Sequence, residues 1–223
     1  MHWNIPNILT VARLIAAPMI ALVFVVFERP LADWIAMVLF ISAALTDYLD
    51  GYLARAWRQV SAFGRMLDPI ADKAMVVIAL AVIMALSGLN PIVLIPVALI
   101  LFREVFVSGL REFLGADAGK LQVTKLAKWK TTLQMVAIPA LFLTGIYQWD
   151  YVMIYNQVGP EGDLAILVHG AEDEFGIIEK RWWFVLFENI GIVLIWLAAI
   201  LTVITGFDYF RKSLPFLQDE KDA

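Results

Sequence analysis

Cysteine is absent from the 223 residues, which excludes a disulfide framework, a thiolate metal site and a thiol nucleophile. The two histidines, His2 and His169, lie outside the polar layer described below and are assigned no role. Charged residues make up only 17% of the chain. Hydrophobic residues reach 61% and the mean hydropathy is +0.78, too apolar for a soluble domain whose surface must stay wet. The start Met1-His2-Trp3-Asn4 lacks the basic stretch and small-residue cleavage site of a signal peptide, so the first apolar span is expected to stay in the mature protein. No nucleic-acid partner is expected, and the net charge of −4 misleads if read alone, because what matters is where the 17 basic residues sit.

What is present is a series of long apolar runs. A spanning helix needs about 20 mostly apolar residues. Six candidates fall near Ile8–Phe27, Leu31–Trp57, Leu67–Ser87, Pro91–Leu114, Thr124–Trp149 and Arg181–Phe210. They use nearly the whole chain, so the expected fold is an all-α integral membrane bundle of six helices in one domain, 1–223. If the N-terminus is cytoplasmic, all but Arg29, Lys180 and Arg181 of the 17 basic residues lie on that side, which sets both termini inside. Trp3, Trp57, Trp149, Trp182 and Trp183 sit near span ends as interfacial anchors. The segment 150–180 is acidic, with one short apolar run at Leu164–Val168, and reads as an extracytoplasmic loop.

Polar groups share one depth. Thr10 and Arg13 precede the uncharged run Leu14–Phe27, which covers only about 20 Å of a core about 30 Å thick. The second span enters from the other side and reaches Asp47 near its far end. Asp68 and Asp72 open the third, Arg103 and Glu104 come late in the fourth, and Lys125, Lys128 and Lys130 open the fifth. Ionisable groups facing lipid cost a few kcal/mol each, so this layer is expected to line a wet cavity open to the cytoplasm.

Within the layer stands Asp47-x2-Asp50-Gly51-x2-Ala54-Arg55-x8-Gly64-x3-Asp68-x3-Asp72. Asp47 and Asp50 share one helix face, Asp68 and Asp72 another, and the short connection makes the two helices antiparallel neighbours. Four ionised carboxylates brought together repel one another unless positive charge intervenes. Hard oxygen ligands in that number suit Mg²⁺ or Mn²⁺, and two such ions about 4 Å apart clamp phosphoryl displacements. Gly51 and Ala54 leave room for a ligand against the helix, and Ser61 and Gly64 are placed on the connecting loop above it.

This pattern resembles the signature of the CDP-alcohol phosphotransferases, with every fixed position present. The resemblance implies transfer of a phosphatidyl group from CDP-diacylglycerol to an alcohol. It implies that Asp47 and Asp68 bridge two metal ions, that Asp50 and Asp72 complete the two sites, and that Asp72 is the base for the acceptor hydroxyl. It further implies CDP-lipid contacts at Thr10, Arg13, Gly51, Ala54, Arg55, Ser61 and Gly64, and a homodimer in the bacterial inner membrane. The run DPIADK is shared by members whose acceptor is glycerol 3-phosphate and by members that make cardiolipin, while FREVFVSGLREFLG and KLQVTKLAKWKTTLQM resemble the former more closely; with NIPNILTVARL the resemblance covers most of the chain to about Leu143. A phosphate-bearing acceptor also suits the cationic mouth, and Arg103, Arg111 and Lys128 are its candidate contacts.

Blander readings stand beside these. Asp68 before Pro69 looks like a helix N-cap, which would account for one carboxylate and not for four. The basic cluster could serve topology and anionic-lipid attraction alone. Competing functions are a phosphatidylglycerol acceptor, as in cardiolipin synthesis, and a divalent-cation transporter. The sealed apolar layer beyond the carboxylates argues against the transporter.

Overall fold

The computed structural model describes residues 5–56, 61–115 and 125–216. Six helices account for nearly all of them: α1 (Ile5–Val26), α2 (Leu31–Ala56), α3 (Ala62–Leu86), α4 (Pro91–Leu114), α5 (Lys125–His169) and α6 (Ile177–Ser213). Four helices are long and apolar enough to cross a membrane among the described residues: Asn7–Val26, Ala62–Leu86, Pro91–Leu114 and Ile177–Phe216. The polar side chains Gln134, Thr144 and Gln148 dilute α5, although it packs into the same bundle.

Small residues let the helices approach. Ala17, Ala36, Ala79, Ala137 and Ala198 are fully buried, interleaved with Ile20, Phe40, Leu80, Ile138 and Ile195 in one continuous core. The outward faces carry Val25, Phe102, Val105 and Phe207, each more than two-thirds exposed, which is the surface of a chain solvated by lipid. At Gly191 an added Cβ would lie 2.7 Å from Leu141 Cδ2, so α5 and α6 pack at glycine distance there.

The structure moves the start of the third helix furthest. α3 begins at Ala62, not at Leu67, because Ser61 in extended conformation accepts a hydrogen bond from Gly64 N at 2.9 Å and caps it. Asp68 is therefore an interior helical residue, and its reading as an N-cap is corrected. Gly64 lies inside the helix, not on a loop.

The larger correction concerns 150–180. α5 does not stop at Trp149 but runs to His169 with one break at Gly159, whose φ of 73° lies outside the helical region. Pro160 restarts the helix, where its missing N–H costs nothing. Only the short stretch 170–176 is non-helical, and α6 begins at Ile177. Gly176 caps it without a side chain, and the Asp173 carboxylate takes that role, accepting from Ile177 N at 2.8 Å and Ile178 N at 3.0 Å. One of the acidic residues is thus structural.

Candidate active site

α1 supplies the centre of the site. Asn7, Thr10 and Arg13 recur at helical spacing on one face and are only 3%, 1% and 2% exposed. Thr10 Oγ1 donates to Asp68 Oδ1 at 2.7 Å. Arg13 Nη1 donates to Asp47 Oδ1 and to Asp72 Oδ1, both at 2.5 Å, and Nη2 lies 3.3 Å from Asp68 Oδ1. One buried guanidinium therefore gathers carboxylates from α2 and from two successive turns of α3. Their side chains remain 43–45% exposed, so their other edges face outward from the protein.

Behind this centre Ser61 Oγ donates to Asn7 Oδ1 at 2.7 Å. Gly64 is buried against the same pair, since a Cβ there would lie 3.0 Å from Asn7 Oδ1 and 3.3 Å from Ser61 Oγ. Thus Ser61 ties the start of α3 to α1 while it caps α3. Asn7 escaped the sequence reading, although its three-residue spacing from Thr10 and Arg13 was the available signal. On the inner side Arg13, Phe40, Ala43, Asp47, Asp72 and Met75 enclose a cavity of about 20 Å³, room for about one water.

Of the sequence-predicted residues, the structure brings together Thr10, Arg13, Asp47, Asp68 and Asp72, with Ser61 and Gly64 one layer behind. The side chains of Asp50, Gly51, Ala54 and Arg55 lie outside the described part of α2. Among the described residues, no three acidic or imidazole groups chelate a point by themselves, because Arg13 stands among the three carboxylates. The donor set nonetheless fits a divalent cation: three carboxylates against one guanidinium leave a surplus of two negative charges, on hard oxygens with open outer edges.

The candidate acceptor contacts separate into different settings. Lys128 is exposed, whereas Lys130, two residues on, is 4% exposed and forms an ion pair with Glu104. Arg103 Nη1 reaches the same Glu104 oxygen at 3.3 Å. Lys73, which follows Asp72, donates to Ser108 Oγ, and that hydroxyl donates to the Glu104 carbonyl at 2.7 Å. Two cations thus pair with one carboxylate beside the acidic centre, and a third, Lys73, is held near them through Ser108. Arg111 stands apart, its Nε donating to Tyr209 OH at 3.0 Å and its guanidinium stacked on that ring. A buried lysine needs a buried anion, and Glu104 supplies it to Lys130, while nothing local in the sequence separates Lys130 from Lys128.

A helical membrane bundle with a carboxylate centre flanked by a cationic one defines a class of intramembrane enzymes that act on phosphorylated substrates. The comparisons agree. The family model described as CDP-alcohol phosphatidyltransferase matches residues 3–159, and the chain belongs to that family, which generally uses divalent metal ions. A CDP-diacylglycerol–glycerol-3-phosphate 3-phosphatidyltransferase of Cereibacter sphaeroides is 57% identical over 99% of this chain and 100% of its own length. Proteins of the same name from Rickettsia bellii and Salmonella choleraesuis are 38% and 43% identical, over 93% and 62% of this chain and 94% and 76% of theirs.

Proposed function

We propose that this chain transfers the phosphatidyl group of CDP-diacylglycerol to glycerol 3-phosphate, giving phosphatidylglycerophosphate and CMP. The observation that carries the reading is the convergence of Asp47, Asp68 and Asp72 on Arg13, beside a second centre whose surplus is positive. The full-length likeness to the Cereibacter enzyme supports the choice of acceptor. It also weighs against the phosphatidylglycerol-acceptor and transporter alternatives.

Asp47, Asp50, Asp68 and Asp72 would hold the divalent metal, which we propose to be two ions of Mg²⁺ or Mn²⁺. When bound, the metal neutralises charge on the pyrophosphate and makes CMP a better leaving group. Arg13 keeps three of the carboxylates in register, which lowers their mutual repulsion and limits how far they must reorganise. Arg55, Gly51, Ala54, Thr10 and Arg13 contact the CDP-lipid, with Ser61 and Gly64 shaping the site from one layer behind. Lys130, Lys73 and Arg103 offer fixed positive charge to the acceptor's phosphate, with Arg111 and Lys128 at the mouth. The acceptor oxygen bonds to the phosphorus that carries the diacylglycerol, the bridging P–O bond to CMP breaks, and Asp72 takes the hydroxyl proton.

In this reading the protein lies in the bacterial inner membrane, with its termini and carboxylates cytoplasmic and residues 150–180 outside. It works as a homodimer, as the family resemblance suggests. The test is CMP release by purified protein given CDP-diacylglycerol, Mg²⁺ and, in turn, glycerol 3-phosphate, phosphatidylglycerol, serine or inositol. Release with glycerol 3-phosphate is expected; release with phosphatidylglycerol alone would overturn the acceptor, and no release with any would overturn the enzyme.

A further inference from the structure

The acidic segment after the fifth span has no part in the chemistry, yet it is folded. Gln148 lines a cavity of about 140 Å³ together with Arg29, Ser87 and Asn90, which places it level with the two turns at the end of the bundle opposite the carboxylates. α5 continues past that level for ten more residues, about 15 Å, before it breaks at Gly159. The chain then folds back. Tyr151 OH bonds Asp163 Oδ1 at 3.4 Å, and the Tyr151 ring stacks on Phe184 of α6, so the helix after Pro160 is pinned beside the α5–α6 pair. Lys180 pairs with Asp150 at 3.1 Å one residue below.

This short helix, Pro160 to His169, has two faces. Ile166 is 8% exposed and packs inward. Leu164 and Val168, one turn apart, are 53% and 66% exposed. Glu161 shares their side but sits at the end nearest the kink, farther from the bundle's membrane-crossing part. Phe175, Ile178 and Trp182, all about half exposed, follow in the chain, with Ile178 and Trp182 one turn apart at the start of a helix long and apolar enough to cross a membrane. The exposed leucine and valine stand at the end of the bundle that carries Trp149, Trp182 and Trp183, ring-bearing residues of the kind that mark a membrane interface.

We propose that residues 160–175 form an interfacial foot that seats Leu164, Val168 and Phe175 in the headgroup–acyl boundary of the leaflet opposite the active site. Glu161, Glu172 and Glu174 stay in water above it. The end of this helix away from the kink is the one that meets the membrane, and there its apolar face is buried a few ångströms deep in the headgroup–acyl boundary. The occupant is the bilayer itself, not a second copy of the chain, because the patch stands at the tryptophan-rich end of the bundle, where such rings mark a membrane interface.

The lack of native cysteine makes the test direct. Leu164→Cys, Val168→Cys and Glu172→Cys, each tagged with an environment-sensitive fluorophore, are reconstituted as full-length protein in phosphatidylcholine vesicles. Emission at 164 and 168 is expected to shift to the blue and to be quenched severalfold more by lipid-attached spin label than by aqueous iodide, with the reverse at 172. Iodide quenching at 164 and 168 equal to that at 172 would overturn the proposal. So would shielding from both quenchers, which would mean that protein covers the patch. The readout does not depend on catalysis, so it stands apart from the choice of acceptor.

Discussion

Arg13 holds the site together, and its burial shows why its loss would matter. A guanidinium 2% exposed inside a membrane bundle is tolerable only because three carboxylates surround it. Removing it leaves those carboxylates facing one another. Since they are close to half exposed, solvent would absorb part of the repulsion, and Arg13→Gln is expected to cost about 1–3 kcal/mol. A lowered thermal midpoint together with loss of CMP release would be the result; unchanged stability would mean that the ion-pair geometry has little weight. Asp72→Asn addresses the proposed base. It keeps the size and a hydrogen-bonding oxygen but cannot take a proton, so turnover is expected to fall about a hundredfold or more while CDP-lipid binding persists. Retained turnover would remove Asp72 from that role. Lys130 shows what residue-level reading misses. Two lysines two positions apart look equivalent in a chain of letters, and only packing shows that one faces Glu104 and the other water.

At the scale of elements, the end of the bundle opposite the carboxylates is locked by a second buried pair. Arg29 Nε and Nη2 donate to both oxygens of Asp33, at 2.8 and 3.0 Å, and Asp33 is 1% exposed in the first turn of α2, where a negative charge also suits the helix dipole. α5 passes this pair at Gly145, where a Cβ would lie 2.5 Å from Arg29 Nη2 and from Asp33 Oδ1. Gly145→Ala must therefore push the pair apart or move α5, and a loss of about 1–3 kcal/mol is expected in unfolding measurements. A variant as stable as the parent would show that the helices shift freely there. The apolar runs made these helices legible, because length and hydropathy are local properties. Their starts were less so: the cap on α3 depends on Ser61 adopting an extended backbone while also meeting Asn7 from another helix.

Across the whole molecule, orientation is the property that the charge distribution argues most strongly. With basic residues concentrated at the carboxylate end, Lys212→Cys and Glu172→Cys are expected to react with membrane-impermeant maleimide from opposite sides of the cell membrane, Lys212→Cys from the cytoplasm. Labelling from one side would contradict the arrangement. The six helices, and the meeting of α2 and α3 that brings Asp47 beside Asp68 and Asp72, followed from composition and spacing, because a bilayer sets a minimum length and a helix one period. Tertiary structure alone decided that α1 delivers Arg13 into the midst of the carboxylates, that Lys130 and not Lys128 is buried with Glu104, and that the segment after Trp149 is helix rather than loop. Each of these is settled by side chains that are not sequence neighbours, whose burial and charge pairing no local pattern names.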